Sequence, residues 1–231
     1  RTLSDLVATT AWGSGLSADE VLTLAGHVEL SSHEIVSSAL QVVANAFAPD
    51  ANTLGLWHCN EAAWSGAAGE VVDASGNGFH GVRYGSANTA AGGLGRTGKF
   101  NNGTADCVSL GTPAGLYRFN GASTHEWWMN VAAMPASVTE LFVATNNNPW
   151  PGRECQLFPN GSLHFFTGYA GNWDDLATAA SVVAADNEWH HVAFQSTGTV
   201  ETIWYDGTLR ASRNRTAPAA SGSARNISFG G

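Results

Sequence analysis

Alternation of apolar and polar residues is the feature that most constrains the fold of this chain. Several short segments in its second half place apolar residues at every second position, and they include Val108-Ser109-Leu110, Leu163-His164-Phe165 and Val192-Ala193-Phe194. This period of two is typical of half-buried strands. Turn pairs that tolerate positive φ punctuate the segments at Asn120-Gly121, Asn160-Gly161 and Asp206-Gly207. Many short strands and frequent turns predict an antiparallel β-sandwich.

Composition supports a globular β domain. The 231 residues are 44% hydrophobic and 13% charged, and they include 27 glycines, which suits a chain with many tight turns. A unit of roughly 180 residues can bury about 70% of the surface that its unfolded chain exposes, so it does not need disulfides for a core. No run of about 18 apolar residues occurs, and we expect no membrane-spanning segment.

The first fifty residues have a different pattern. Ser17 lies three residues before Glu20, and Ser31 lies three residues before Glu34, which is the capping-box spacing at the start of a helix. Apolar residues then recur at helical spacing until Pro49. We therefore predict a helical segment or linker over residues 1–50 and a β domain over residues 51–231.

Three motifs in sequence order identify a family resemblance. The first motif opens with Leu56-Trp57-His58. The second is a polar loop, Asp73-Ala74-Ser75-Gly76-Asn77-Gly78-Phe79-His80-Gly81. The third is the segment Trp189-His190-His191-Val192-Ala193, which precedes Tyr205-Asp206-Gly207. Residues 54–231 thus resemble the laminin G-like (LamG) jelly roll of the concanavalin A-like lectin and glucanase superfamily. The resemblance implies a mainly β fold, an antiparallel two-sheet jelly roll, with a short N-terminal helical segment.

The resemblance also bears on both ends of the chain. In the family, a last acidic strand follows the segment that corresponds to Ile227–Gly231, and Arg1–Leu6 resembles the segment that comes after such a strand in a preceding domain. This implies a piece of a longer protein, with neighbouring domains as partners and a sandwich lacking its last strand. The alternative is that the sequence simply diverges at its ends.

Charge limits the partners that we expect. The chain has 19 acidic residues against 10 basic ones, and Lys99 is its only lysine. Neither a nucleic acid backbone nor an anionic membrane surface would be attracted by this balance. We therefore expect no nucleic acid and no membrane among the partners.

Catalysis is not expected. The glucanases of the superfamily place two glutamates on one strand as E-x-D-x-x-E or E-x-D-x-E, because alternate side chains reach the same face with the carboxyl spacing that retaining hydrolysis requires. No such string occurs, and Glu126 and Glu154 are isolated acids. No other catalytic motif replaces it. We predict a protein that is not an enzyme.

A calcium site is predicted at the polar loop. Asp73, Ser75 and Asn77 alternate as hard-oxygen residues, which Ca²⁺ prefers, and Asn60 and Glu61 are expected to approach the same loop. Structural calcium is widespread in the superfamily, as the resemblance implies. The alternative is an Asx turn, in which the Asp73 carboxylate accepts backbone N–H bonds and no ion is bound.

Two aromatic loops are the candidate carbohydrate-binding residues. Trp150 follows Asn148, and Trp173 lies between Asn172 and Asp174. The apolar face of a sugar stacks on an aromatic ring while amide and carboxylate groups take its hydroxyls. Each tryptophan has an alternative role as a lid folded over the end of the sandwich. Five other tryptophans lie in strands and are assigned to core or sheet-face packing: Trp57, Trp127, Trp128, Trp189 and Trp204.

The cysteines leave two interpretations. Cys59 and Cys107 lie on elements that are neighbours in LamG domains, so the resemblance allows a disulfide between them in a secreted protein. Three small buried hydrophobic side chains are the alternative. Cys155 is assigned a structural role.

These features predict a non-catalytic carbohydrate-binding or adhesion module of a larger extracellular, cell-surface or virion protein. Its partner would be a glycan or a cell-surface polysaccharide. The alternative is a structural or assembly domain without glycan binding, since one fold carries many functions.

Overall fold

A computed structural model describes residues 48–92, 95–101, 105–116, 121–145, 152–169, 172–215 and 226–230 of the chain. In this part of the chain, the regular structure is antiparallel β-sheet with one short 3₁₀ turn at Ala114–Leu116. The predicted β-sandwich is therefore confirmed. The two helices predicted within residues 1–50 lie outside the described residues, and the strand expected beyond Gly231 stays a prediction.

The larger layer is a seven-stranded sheet. Its spatial order is β1 (Val82–Tyr84), β4 (Cys107–Gly111), β13 (Ile227–Phe229), β6 (Thr139–Thr145), β7 (Gly152–Leu157), β8 (Leu163–Tyr169) and β9 (Asn172–Ala177). The short strand β13 lies between β4 and β6, where Ser228 pairs with both Ser109 and Val143. Strand β9 forms one edge of the sheet and pairs with β8.

The second layer has four strands. Its order is β12 (Thr208–Asn214), β11 (Val200–Tyr205), β10 (Trp189–Ser196) and β5 (Ser123–Asn130). A separate hairpin pairs β2 (Asn88–Gly92) with β3 (Gly95–Lys99). Among the described residues, no helix has the length and apolar run that a bilayer crossing would need.

The turn predicted at Asp206-Gly207 is confirmed. Strand β11 runs into β12 through the two residues Asp206 and Gly207, whose φ angles are +49° and +68°. Positive φ at both central positions suits the right-handed twist of the flanking strands, and Asp-Gly is a preferred pair for this turn. On the other side of β11, Phe194 of β10 pairs with Ile203.

The core lies where the inward sides of the strands meet, and it forms two clusters. One cluster includes Trp64, Val71, Val108, Leu110 and Ile227, and the other includes Leu163, Phe165, Val192, Phe194 and Ile203. Every apolar residue used above to infer alternation at β4, β8 and β10 is buried: Val108, Leu110, Leu163, Phe165, Val192 and Phe194. The period of two therefore identified the inward faces correctly, because successive side chains of a strand point to opposite sides.

The three cysteines are free thiols in the structure. Cys155 is fully buried in the second cluster, and Cys59 packs against the first. Burial raises the pKa of the Cys59 thiol to about 12, with a further contribution from the charge of Glu61. Cys155 agrees with a small buried side chain, which was the alternative to a disulfide, while Cys59 and Cys107 are half-buried.

Candidate functional site

Trp173 lies on the outer face of the seven-stranded sheet, at its β9 edge. Its neighbour in register on β8 is Gly168, which has no side chain to compete with the indole for space. Phe166, two residues earlier on β8, contacts the indole edge to face, with ring centroids 6.4 Å apart and planes at 87°. Aromatic pairs prefer this arrangement, so Phe166 fixes the orientation of a half-buried tryptophan.

The aromatic contacts continue along the same face. His164 stacks on Phe166 with centroids 5.8 Å apart, and on its other side it stacks on Phe158 at 3.8 Å. We call Phe158, His164, Phe166 and Trp173 the aromatic run. It arises because β8 alternates: Leu163, Phe165 and Thr167 are buried, which turns His164 and Phe166 outward.

Hydrogen-bonding groups lie beside the aromatic run. Asp175 of β9 accepts from the His164 ring at 2.9 Å and pairs in register with Phe166. Across β8, Phe166 also pairs in register with Glu154 of β7. The side-chain amide of Gln156 donates to the Glu154 carboxylate at 3.0 Å. The outer face of β7–β9 thus combines aromatic rings with two carboxylates and an amide.

The two polar neighbours of Trp173 point the other way. Asn172 and Asp174 occupy the alternate positions of β9, so their side chains point to the side of the sheet opposite Trp173. The Asp174 carboxylate lies 3.7 Å from the guanidinium of Arg215, whose side chain is buried. The structure therefore places Trp173 with Phe166 on the sheet face and Asp174 at the end of the sandwich. The sequence had grouped Asn172, Trp173 and Asp174 in one loop, and strand pairing of Asn172–Ala177 separates their side chains.

A buried ionic network lies beneath this end of the sandwich. The Glu201 carboxylate, fully buried, accepts from the Thr167 hydroxyl at 2.6 Å, from Arg215 at 2.9 Å and from Arg213 at 2.6 Å. Burial alone would raise the pKa of Glu201, but these hydrogen bonds and the charge of Arg213 outweigh it and lower the pKa. Glu201 stays ionised and ties β8, β11 and the end of β12 together.

The other predicted carbohydrate-binding residues, Trp150 and Asn148, lie outside the described residues. The segment that contains them connects Thr145 to Gly152. These two residues pair with each other, Gly152 pairs with Gly168, and Gly168 pairs with Trp173. The described residues on either side of this segment, Thr145 and Gly152, therefore lie in the row of the sheet that holds Trp173.

At the predicted metal loop, the Asp73 carboxylate is surrounded by hydrogen-bond donors. One oxygen accepts from the backbone N–H groups of Leu56 and Ser75, and the other accepts from the Ser75 hydroxyl and the Phe79 N–H, all at 2.8–3.0 Å. Burial works against ionisation, but these hydrogen bonds outweigh it and lower the pKa of Asp73. This geometry is that of an Asx turn.

The other predicted calcium ligands also have partners within the chain. The Asn77 amide donates to the Thr53 and Leu54 carbonyls, and the Glu61 carboxylate accepts from the Trp64 indole and the Val72 N–H. Asn60 is exposed. The described residues hold no cluster of three or more His, Cys, Asp and Glu that fits a metal ion. The loop is held by its own hydrogen bonds, and calcium at Asp73 stays a prediction.

Sequence reasoning missed six contributors to the outer face: Glu154, Gln156, Phe158, His164, Phe166 and Asp175. The alternation of β8 could have identified Phe166, because an outward phenylalanine between buried residues requires an explanation. The contacts of His164 with Phe158, which follows β7, and with Asp175 of β9 depend on how the neighbouring segments pair with β8, and they have no local signal in the sequence.

Comparison with known proteins agrees with this fold. A family model described as the concanavalin A-like lectin/glucanases superfamily matches residues 102–231. No curated protein sequence matches the chain.

Several solved structures share the architecture at low sequence identity. The binding domain of Paraclostridial Mosquitocidal Protein 1 aligns with a TM-score of 0.57 at 14% identity, over 69% of this chain and 41% of that one. Domain 4 of AbnA, a GH43 extracellular arabinanase from Geobacillus stearothermophilus in complex with arabinotriose, aligns with a TM-score of 0.52 at 20% identity, over 68% and 76%.

A botulinum neurotoxin type C structure, described as depending on two ganglioside molecules for cell entry, gives a TM-score of 0.55 at 12% identity, over 76% and 42%. This chain thus spans less than half of both toxin structures. At these identities the likeness concerns the fold. With the family model matching more than half of its residues, the chain belongs to the concanavalin A-like lectin/glucanases superfamily.

Proposed function

We propose that this domain is a non-catalytic carbohydrate-binding module, and that its glycan lies along the aromatic run on the outer face of β7–β9. The observation that carries the proposal is the edge-to-face contact of Trp173 with Phe166 at 6.4 Å. An indole held in one orientation at a sheet edge offers a flat apolar surface to the C–H face of a sugar. Because the indole is already fixed, binding costs little conformational entropy of this side chain.

Polar groups beside the run supply the second half of sugar recognition. Asp175 and Glu154 lie on either side of Phe166 in one row of the sheet, and Gln156 is hydrogen-bonded to Glu154. Carboxylates accept hydrogen bonds from hydroxyls, and the amide can donate or accept. A few such groups around an apolar surface orient a ligand and give it specificity.

The charge of this face favours a neutral glycan. Strands β7, β8 and β9 contain no lysine and one arginine, Arg153, which is buried on the inward side. The exposed carboxylate of Asp175 disfavours a sialic acid or a sulfate on this face, and the chain as a whole has a net charge of −9.

In the wider protein, the module would bind a glycan or polysaccharide and so bring the neighbouring domains to it. The setting would be a cell surface, a virion surface or a secreted protein. The extracellular arabinanase among its structural neighbours supports this setting. The acidic surface supports the expectation that nucleic acid and anionic membranes are not partners.

The test is isothermal titration calorimetry with arabinohexaose, xylohexaose, cellohexaose and laminarihexaose as neutral probes, and with 3′-sialyllactose as the acidic probe. We expect at least one neutral probe to bind and Trp173→Ala to weaken it. Tyr84→Ala is the matched control, because Tyr84 is an aromatic residue 55% exposed on β1, at the other edge of the same sheet. If none of the probes binds, the domain is better described as a structural or assembly module.

A further inference from the structure

The four-stranded sheet carries a second exposed aromatic surface on the opposite side of the sandwich. Trp127 points inward and stacks on Phe194, with ring centroids 5.4 Å apart. Its neighbour Trp128 must therefore point outward, and it is 47% exposed. Leu209 of β12 is equally exposed on this face. The assignment of Trp128 to packing is thus incomplete, because nearly half of its surface faces solvent.

Strand register brings a second tryptophan onto this face. Trp128 pairs with His191 across β5 and β10, and two residues further along β10 Ala193 pairs with Trp204 of β11. From strand and residue spacings, the Cα atoms of the two tryptophans are about 12 Å apart. Because Ala193 has a small side chain, it leaves a depression in the surface between the two indoles. A ligand that contacts both indoles must be longer than one sugar ring.

Each indole has hydrogen-bonding groups beside it. The Trp128 ring lies 5.4 Å from the His191 ring, and His191 Nε2 lies 3.5 Å from a carboxylate oxygen of Glu126. The Glu126 side chain is 58% exposed. On the other side, Trp204 donates its indole N–H to the Thr202 hydroxyl at 3.0 Å. The surface alternates flat apolar rings with a carboxylate, an imidazole and a hydroxyl.

This mixture favours a sugar over an apolar protein surface. Covering Trp128 with apolar side chains would also remove water from the Glu126 carboxylate and the His191 imidazole, and burying a charged group in apolar surroundings costs free energy. Sugar hydroxyls could pair with both groups while a sugar ring stacks on the indole. A neutral oligosaccharide supplies both an apolar ring face for the two indoles and hydroxyls for Glu126 and His191.

The geometry points to a second glycan-binding surface, formed by Trp128, Trp204, His191 and Glu126. It shares its class of ligand with the proposed function but none of its residues, so either surface can fail without the other. Because the outer faces of the two sheets look in opposite directions, the domain is bivalent and can bridge two polysaccharide chains.

The experiment compares the wild type with Trp128→Ala, Trp128→Phe, Trp173→Ala and Tyr84→Ala. Calorimetry with the four neutral hexasaccharides should give two ligands per wild-type chain and one per Trp128→Ala chain. Trp128→Phe, which keeps a ring, should retain the second site with weaker affinity. On an insoluble polysaccharide, either single alanine variant should lose about tenfold or more in apparent affinity, because avidity requires both surfaces.

Two results would overturn this inference. One is an unchanged stoichiometry and affinity in Trp128→Ala. The other is a wild type that self-associates in size-exclusion chromatography through Trp128 while its sugar binding does not depend on that residue. If Trp173→Ala removes nothing and Trp128→Ala removes the single site present, the proposed function at β7–β9 fails and the second surface stands. Circular dichroism melting of each variant shows that it is folded.

Discussion

Trp173 and Phe166 meet edge to face on the outer side of the seven-stranded sheet, at a centroid distance of 6.4 Å. The contact holds the indole through a residue of the neighbouring strand, and His164 and Phe158 support that residue in turn. A binding surface built on paired strands keeps its geometry better than one on a loop. The aromatic run is therefore in place before any ligand arrives.

Phe166→Leu should weaken glycan binding although the substitution keeps an apolar side chain. Leucine fills the space but presents no ring to the indole, so Trp173 gains rotamer freedom that the ligand must remove. We expect a several-fold weaker affinity by calorimetry and a melting temperature within a few degrees of the wild type, because Phe166 is half-buried on the surface side. An affinity equal to that of the wild type would show that Phe166 does not position Trp173.

Glu201→Gln should strongly destabilise the domain. The substitution leaves Arg213 and Arg215 without the carboxylate that now lies within 2.9 Å of both guanidinium groups. Breaking a buried ion pair from one side costs about 3–5 kcal/mol. Urea unfolding followed by tryptophan fluorescence measures this loss. Glu126→Gln is the matched control, since its exposed carboxylate should contribute less than about 0.5 kcal/mol.

The same network predicts acid sensitivity. Despite burial, hydrogen bonds and the charge of Arg213 hold the folded-state pKa of Glu201 below its ordinary value of 4.5, so its contribution to stability is complete above that value. It is lost as the pH falls through the lower, folded-state pKa. Urea midpoints between about pH 3 and pH 5 should therefore fall steeply for the wild type and less steeply for Glu201→Gln. Parallel curves would show that Glu201 is not ionised in the folded protein.

His190, at the start of β10, predicts that stability falls rather than rises with increasing pH near neutrality. The His190 ring lies 2.7 Å from Asp206 and 3.2 Å from Asp186 and stacks on Tyr205. Partial burial disfavours its charged form, but hydrogen bonds to the two aspartates outweigh this and raise its pKa above 6.5.

Stability from His190 is therefore complete below pH 6.5 and is lost as the pH rises through the folded-state pKa. Between about pH 6 and pH 8, the melting temperature of the wild type should fall as the pH rises. This slope should disappear in His190→Gln and become smaller in Asp206→Asn. A slope that survives in His190→Gln would assign the effect to another group.

Calcium at the Asp73 loop can be tested directly. If the ion binds, Ca²⁺ should raise the melting temperature of the EDTA-treated wild type, by mass action on the folded state. Asp73→Asn should abolish that increase, whereas Glu70→Gln, at a neighbouring carboxylate outside the predicted ligand set, should keep it. A melting temperature that neither EDTA nor Ca²⁺ changes would leave the hydrogen-bonded Asx turn as the complete account of this loop.

Local patterns in the sequence predicted the sandwich well, because alternation and turn residues act over a few positions. Val108, Phe165 and Val192 are buried as their spacing predicted, and Asp206-Gly207 forms the predicted turn. The outer surfaces were harder to predict, since they depend on register between strands. Glu201 is a single acid within V-E-T-I-W-Y, and only the pairing of β11 with β12 brings Arg213 beside it.

The tryptophans illustrate the same limit. The sequence grouped Trp173 with Asn172 and Asp174 in one loop as candidate binding residues, whereas strand pairing places its side chain apart from Asp174 and beside Phe166. Adjacent tryptophans at 127 and 128 have opposite environments, one stacked in the core and one exposed. Sequence alternation implies that difference, and the sheet decides which of the two faces solvent.

The central claim, that a neutral glycan lies along the aromatic run, is tested most directly by NMR on the ¹⁵N-labelled domain. Titration with the tightest-binding neutral hexasaccharide should shift the indole N–H of Trp173 and the backbone amides of β8 and β9 strongly. The indole N–H of Trp57, which donates to the Phe79 carbonyl, should not move. Saturating ligand that leaves the Trp173 indole and the β8–β9 amides unshifted would contradict the account.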